Sequence, residues 1–227
     1  SDLMYETVSN IPAKSGNINH KFLKPGESSK KAVIVITSNR GLAGGYNSNI
    51  TKLITNSDIP KEDIEVYAIG SKGRETLERK GYMIKEDYSE VMNEPMYTDA
   101  KQICDKVLDS YVNGEIGEIY LAYTSFKNTV VHVPKLIKLL PVDAEAVKQD
   151  AGADSTPMNY EPNEEEALNL IIPKYVCSLL YGALIEAVAS ENGARMQAMD
   201  NATSNAEEMI DDLSLKFNRA RQASITQ

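Results

Sequence analysis

The residues best placed to do chemistry are glycines. Gly41, Gly44 and Gly45 follow the apolar run Ala32-Val33-Ile34-Val35-Ile36-Thr37 and precede Asn47-Ser48-Asn49, three residues suited to opening a helix. A glycine-rich turn between a strand and a helix can aim backbone N–H groups at a phosphate. The spacing G-x-x-G-G is neither the dinucleotide fingerprint nor a Walker A loop, and no Lys-Ser/Thr pair follows it. Tight strand-to-helix packing and contact with a partner subunit therefore outweigh phosphate binding, with Arg40 as the charged contact. The alternative, a nucleotide-binding α/β enzyme using the Gly41–Gly45 turn, needs a carboxylate after the second strand, where the sequence has Gly70-Ser71-Lys72.

Other reactive side chains are sparse. Cys104 and Cys177 lack metal-ligand spacing and sit in apolar helical patterns, which predicts buried free thiols. His20 and His132 lie far apart in sequence, so neither a His-based metal site nor a Cys/His nucleophile assembles easily. His132 alternates with Val131 and Val133, which predicts a surface or satisfied strand histidine. No cofactor or metal site is expected. The net charge of −9 makes the chain a poor default binder of nucleic acid or anionic lipid. No run approaches 18 uninterrupted apolar residues, and the N-terminus lacks the pattern of a signal peptide.

These residues need elements to position them. Residues 1 to 30 read as an irregular lead-in. Beyond it, apolar runs over 32–37, 64–69 and 118–123 predict three strands, and their near-continuous hydrophobicity suits burial on both faces. Helical patterns follow Asn47-Ser48-Asn49, Ser71 (ending at Gly81) and Thr98 or Asp99, the last with Ile103, Val107 and Tyr111 on one face. A strand from Val130 towards Leu140 closes an antiparallel hairpin. The order implies an α/β fold, a mostly parallel doubly wound sheet with an antiparallel edge. Residues 141 to 163, with five acidic side chains and one Lys, read as a solvated, partly mobile loop.

The C-terminal quarter differs in kind. Pro162-Asn163 predicts a helix start, with Glu164, Glu165 and Glu166 in the first turn. Pro173 is expected to end or kink this piece, or to open a new helix. The next 54 residues hold no proline, enough for about 80 Å of helix. Leu180, Leu184, Ala187, Val188, Met199, Ala202, Ala206, Met209, Leu213, Phe217 and Ala220 recur at mostly three- and four-residue spacing. Such a stripe on a protruding helix needs a partner helix, or it self-associates. The division expected is 1–163 as the globular part and 164–227 as the coiled-coil helix.

Two long runs carry a resemblance. Ser38-Asn39-Arg40-Gly41-Leu42-Ala43-Gly44-Gly45-Tyr46-Asn47 resembles the glycine-rich loop of the ATP synthase γ subunit family. The stretch from Ala189 to Thr203, together with Phe217 to Gln227, resembles that family's C-terminal helix, and Tyr160-Glu161-Pro162-Asn163 its entry segment. The resemblance implies a central rotor stalk: a Rossmann-like domain carrying half of an antiparallel coiled coil. The coil turns inside a ring of α and β subunits, and the domain sits against the ε subunit and the membrane-embedded c-ring. It also implies a chain without catalytic residues of its own, held at the cytoplasmic face of a bacterial plasma membrane. Measured against the family pattern, the chain reads as truncated at both ends, and Ala43 stands where the family usually has Cys. The partner contacts implied are Arg40, Gly41, Gly44 and Gly45 in the turn, Tyr160 and Glu161 at the base, and Arg195, Gln222 and Thr226 on the helix.

Overall fold

A computed structural model describes residues 20–142 and 164–226. Strand β1 (Lys31–Ile36) lies at the centre of a five-stranded sheet, parallel to β2 (Ile64–Ile69) on one side and β4 (Glu118–Phe126) on the other. Outside β2 runs parallel β3 (Met83–Asp87); outside β4 runs antiparallel β5 (His132–Leu140). Helices α1 (Tyr46–Thr55), α2 (Ser71–Arg79) and α3 (Tyr97–Val112) complete the α/β unit, and α4 (Glu164–Thr226) follows as one helix of 63 residues.

The period-two geometry of β1 explains why its sequence has no polar break. Val33 and Val35 pack with Ile50, Ile54 and Leu77 under α1 and α2. Ala32, Ile34 and Ile36 face the other way, with Ile103, Val107, Leu180 and Leu184 under α3 and α4. The sheet is thus covered on both faces, and the inner part of α4 belongs to its core.

Several sequence expectations change. The strand β3 was not expected: its residues alternate exposed and half-buried at the sheet edge, and Lys85, Glu86 and Asp87 mask its apolar signal. Helix α1 opens at Tyr46 after Gly45, and Asn47 is used elsewhere. Asp99 lies inside the first turn of α3, where its carboxylate accepts the Met96 N–H at 2.9 Å. The described part of the lead-in is irregular but held: His20 and Phe22 are buried, and the single Tyr111 hydroxyl proton is shared between the carbonyls of Lys21 and Lys24, 2.8 and 2.6 Å away.

Pro173 neither ends α4 nor opens a new helix; it sits inside it. A proline there removes one backbone hydrogen bond and crowds the preceding turn. Leu168, Ile172, Val176, Leu180 and Leu184, all at most 2% exposed, carry an unbroken four-residue repeat across it. Burial of that row outweighs the lost bond. An 18-residue window of α4 reaches a mean hydropathy of 1.6, long and apolar enough on composition to cross a membrane. Here the buried row explains that apolarity, because it lies against the sheet and α3. From Met199 to Thr226 every side chain of α4 is exposed.

Candidate partner-contact site

Two parts of the chain meet where α4 leaves the sheet: the glycine-rich turn and the β4–β5 hairpin. The turn runs from Ser38 to Gly45, and Gly44 and Gly45 hold φ of 79° and 80°, the left-handed region that suits glycine. Its start is pinned to α1. The Ser38 N–H donates to Asn47 Oδ1 at 3.0 Å, and the Asn47 side-chain amide donates to Ser38 Oγ at 2.8 Å. Arg40 and Gly41 are exposed. Leu42 and Gly41 share a cavity of about 310 Å³ with Arg195, Ala198 and Met199 of α4. The fold therefore brings the turn and the Arg195 region, 150 residues apart in sequence, to one wall.

The helix after the second strand has no donors left for a phosphate. The Gly73 N–H donates to Thr37 Oγ1 at 2.8 Å, the Ser71 N–H to Asn39 Oδ1 at 2.9 Å, and the Lys72 N–H to the Ser38 carbonyl at 3.1 Å. Thr37, Ser38 and Asn39 thus occupy the N-terminus of α2, at the end of the second strand, where the nucleotide-binding alternative would need a carboxylate for the ribose. Gly70 is required for this closeness: a Cβ there would meet the Thr37 carbonyl oxygen at 2.1 Å, and its φ is +115°.

Above the turn, three polar bonds grip α4. The Tyr46 hydroxyl donates to the Ala187 carbonyl at 3.0 Å, and burial pushes its phenol pKa up, so it stays a donor. Ser125 Oγ donates to Glu186 at 3.0 Å, and Ser190 Oγ to the Thr124 carbonyl at 3.5 Å. One turn further, a Cβ built on Gly193 would lie 2.9 Å from His132 Cε1 and 3.1 Å from the Thr129 carbonyl oxygen. The hairpin tip and the helix backbone touch there. His132 differs from expectation: both ring nitrogens are buried with no hydrogen-bond partner among the described residues. Its ring is clamped between Phe126, 6.1 Å away centroid to centroid, and α4.

Arg195 lies just beyond the grip, half-buried, with its guanidinium on Glu191 Oε1 at 3.0 Å. It is neither a freely solvated charge nor fully engaged. Gln222 and Thr226 stand on the exposed outer helix, far from Arg195, and the Thr226 hydroxyl turns back onto the Gln222 carbonyl at 2.9 Å. Tyr160 and Glu161 lie outside the described residues. Sequence reasoning missed Tyr46, Ser125 and Ser190 entirely. Gly193, one of two glycines after Pro173, was the available signal, because a glycine inside a long helix points to a close approach.

The two cysteines are buried and free, as their patterns predicted. They also face each other across the α3–α4 packing, and Cys104 Sγ lies 3.9 Å from the Pro173 carbonyl oxygen.

A family described as ATP synthase matches residues 1–227. The ATP synthase gamma chain of Lachnoclostridium phytofermentans is 68% identical, with 100% of this chain and 80% of that relative covered. The ATP synthase gamma chain, sodium ion specific, of Acetobacterium woodii is 40% identical with the same coverage of 100% and 80%. Among solved structures, a chain in the central stalk and c-ring of the Tetrahymena thermophila mitochondrial ATP synthase superposes with a TM-score of 0.61 at 26% identity, over 89% of this chain and 85% of that one. A full-length family match and a 68% identical relative lead to one conclusion: the chain belongs to the ATP synthase gamma chain family, whose members are subunits of that complex.

Proposed function

We propose that this chain is the non-catalytic central rotor subunit of an F-type ATP synthase, coupling ion flow through the c-ring to ATP synthesis or hydrolysis on the α3β3 ring by rotation. One observation carries the reading. A single 63-residue helix is anchored by its inner turns in the core of an α/β body, while its outer 28 residues expose every side chain. That is the build of a shaft fixed in a hub. Residues 1–163 form the hub and 164–227 the shaft, whose inner turns double as hub core.

In this reading the α and β subunits surround the outer shaft, and the ε subunit and c-ring meet the hub. Arg40, Gly41, Gly44, Gly45 and Arg195 are contacts at the level where shaft leaves hub. Gln222 and Thr226 are contacts further out, and Tyr160 and Glu161 contacts at the base. The assembly lies peripherally on the cytoplasmic face of a bacterial plasma membrane, with the nucleotide chemistry on other subunits.

The test is co-expression with the α, β and ε subunits of the same source, followed by affinity capture on β and light scattering. The expected result is one copy of this chain and one of ε per α3β3 ring. Arg195→Ala is expected to lower the yield or the ATPase rate of that complex. Capture of α3β3 with no trace of this chain or of ε refutes the reading.

A further inference from the structure

The contacts that hold α4 to the body change in kind along its length. The inner row Leu168, Ile172, Val176, Leu180 and Leu184 is buried and apolar. Burial of that sort fixes depth but has no preferred direction. Between Glu186 and Gly193, about two turns of helix, directional contacts gather. The Tyr46 hydroxyl donates to the Ala187 carbonyl and Ser125 Oγ to Glu186 Oε1, each at 3.0 Å, and Ser190 Oγ donates to the Thr124 carbonyl at 3.5 Å. Tyr46, Ser125 and Ser190 are all buried. Beyond Gly193 helix and body part: Ala194, Gln197 and Asn201 border, with Asn49 and Pro134, a cleft of about 450 Å³. The bonds therefore sit at the last level where the α/β body holds the helix.

We propose that Tyr46 is a positioning residue, which with Ser125 and Ser190 sets the angle at which α4 leaves the body. The proposal rests on the rotor reading, in which hub and shaft turn as one. Glu186 and Ala187 are consecutive, so they leave the helix axis in directions about 100° apart. One is held from strand β4 and the other from the start of α1. With holds on two flanks, rotation of α4 about its own axis disturbs at least one of them. A turn of about 10° carries an atom about 5 Å from the axis through about 0.9 Å. That takes a 3.0 Å bond outside the range of good hydrogen bonds. The close approach of His132 and the Thr129 carbonyl to Gly193 adds a steric stop one turn further out. Tyr46 also directly follows Gly45, so its bond ties the glycine-rich turn to the helix.

The test uses the assembled α3β3 complex with this chain and ε. The β subunits are fixed to a surface, and a rod is attached to the hub through Lys80→Cys. Lys80 is exposed and Cys104 and Cys177 are buried, so within this chain the new thiol takes the label. The angular variance of the rod is recorded while the complex waits for ATP. Tyr46→Phe removes the hydroxyl and keeps the ring; Ser125→Ala removes the other hold. Each is expected to raise the variance, and the pair to raise it about twofold, because variance grows as directional stiffness is lost. The unloaded ATPase rate is expected to stay at the wild-type value. Ile64→Val, buried in β2 under the opposite face of the sheet, costs comparable stability and is expected to leave the variance unchanged. A wild-type rod that does not turn with ATP refutes the rotor reading. A wild-type rod that turns, with the paired variant matching its variance, overturns the positioning role alone. So does an equal rise in Ile64→Val.

Discussion

Gly182 and Gly193 stand eleven residues apart on one helix and should respond oppositely to the same substitution. At Gly182 nothing lies within 4 Å of an added Cβ. Gly182→Ala gains helix propensity, about 1 kcal/mol of stability. Gly193→Ala gains the same propensity but drives its methyl to 2.9 Å from His132 Cε1 and 3.1 Å from the Thr129 carbonyl. Neither neighbour is the free end of a flexible chain: one is a buried ring, the other backbone. Overpacking of this kind costs about 1–3 kcal/mol. The net effect at Gly193 is therefore about 0–2 kcal/mol of destabilisation, and the gap between the two sites about 1–3 kcal/mol. Urea unfolding followed by circular dichroism reads both values. A double-mutant cycle with His132→Ala sharpens the test, because removing the ring should recover about 0.5–3 kcal/mol as coupling energy. If Gly193→Ala stabilises as much as Gly182→Ala, the hairpin does not touch the helix there and the grip described above is wrong.

Leu180→Ala removes a fully buried side chain from the α4 row and should cost about 2–5 kcal/mol by urea titration; a cost under that of an exposed site would remove α4 from the core. Gly70→Ala must move the Thr37 carbonyl and should destabilise on the order of 3 kcal/mol, and a near-neutral melting curve would contradict the φ of +115°. His20 is held below its ordinary pKa by burial, partly offset by its bond to Asn169, so the unfolded chain takes up the proton first. The stability its neutral ring contributes is present above about pH 6.5 and is lost as the pH falls; the wild type should lose more between pH values near 7.5 and 5.5 than His20→Gln does, and equal losses refute the assignment. Burial, then the Cys177 thiol, pushes the Cys104 thiol up, and both sulfurs are nearly inaccessible; maleimide should label neither cysteine in the folded chain and both in urea, as mass spectrometry would show.

The sheet was legible because its central strands are buried on both faces and so carry no polar break. Strand β3 was not, because an edge strand needs only one apolar face and wears charges on the rest. Pro173 misled for a related reason. A local rule predicts a break, but five buried side chains on a four-residue repeat stabilise the helix more than one missing hydrogen bond weakens it. Of the expected contact residues, Gly41 and Arg195 come to one wall, while Gln222 and Thr226 do not join them. The grip residues Tyr46, Ser125 and Ser190 were invisible because their partners are a backbone carbonyl or a carboxylate more than 60 residues away. Nothing local marks such a pair.

The apolar stripe that reads as continuous from Leu180 to Ala220 is two surfaces with different thermodynamic standing. Leu180, Leu184 and Ala187 are at most 1% exposed, and their apolarity is explained by the body they pack against. Met199, Leu213 and Phe217 lie on the same helix, yet no residue of the described chain covers them. Had the outer turns served only to lengthen the rod, polar residues of equal helix propensity would have held them without the cost of solvating large side chains. Retained apolarity on an otherwise charged rod therefore reports a surface made to be covered. The small residues interleaved in it set how close the cover comes, and the flanking charges set which way it runs. The boundary falls a turn or two beyond Gly193: inward of it the helix is fixed by the α/β body, and from Met199 outward every side chain is exposed.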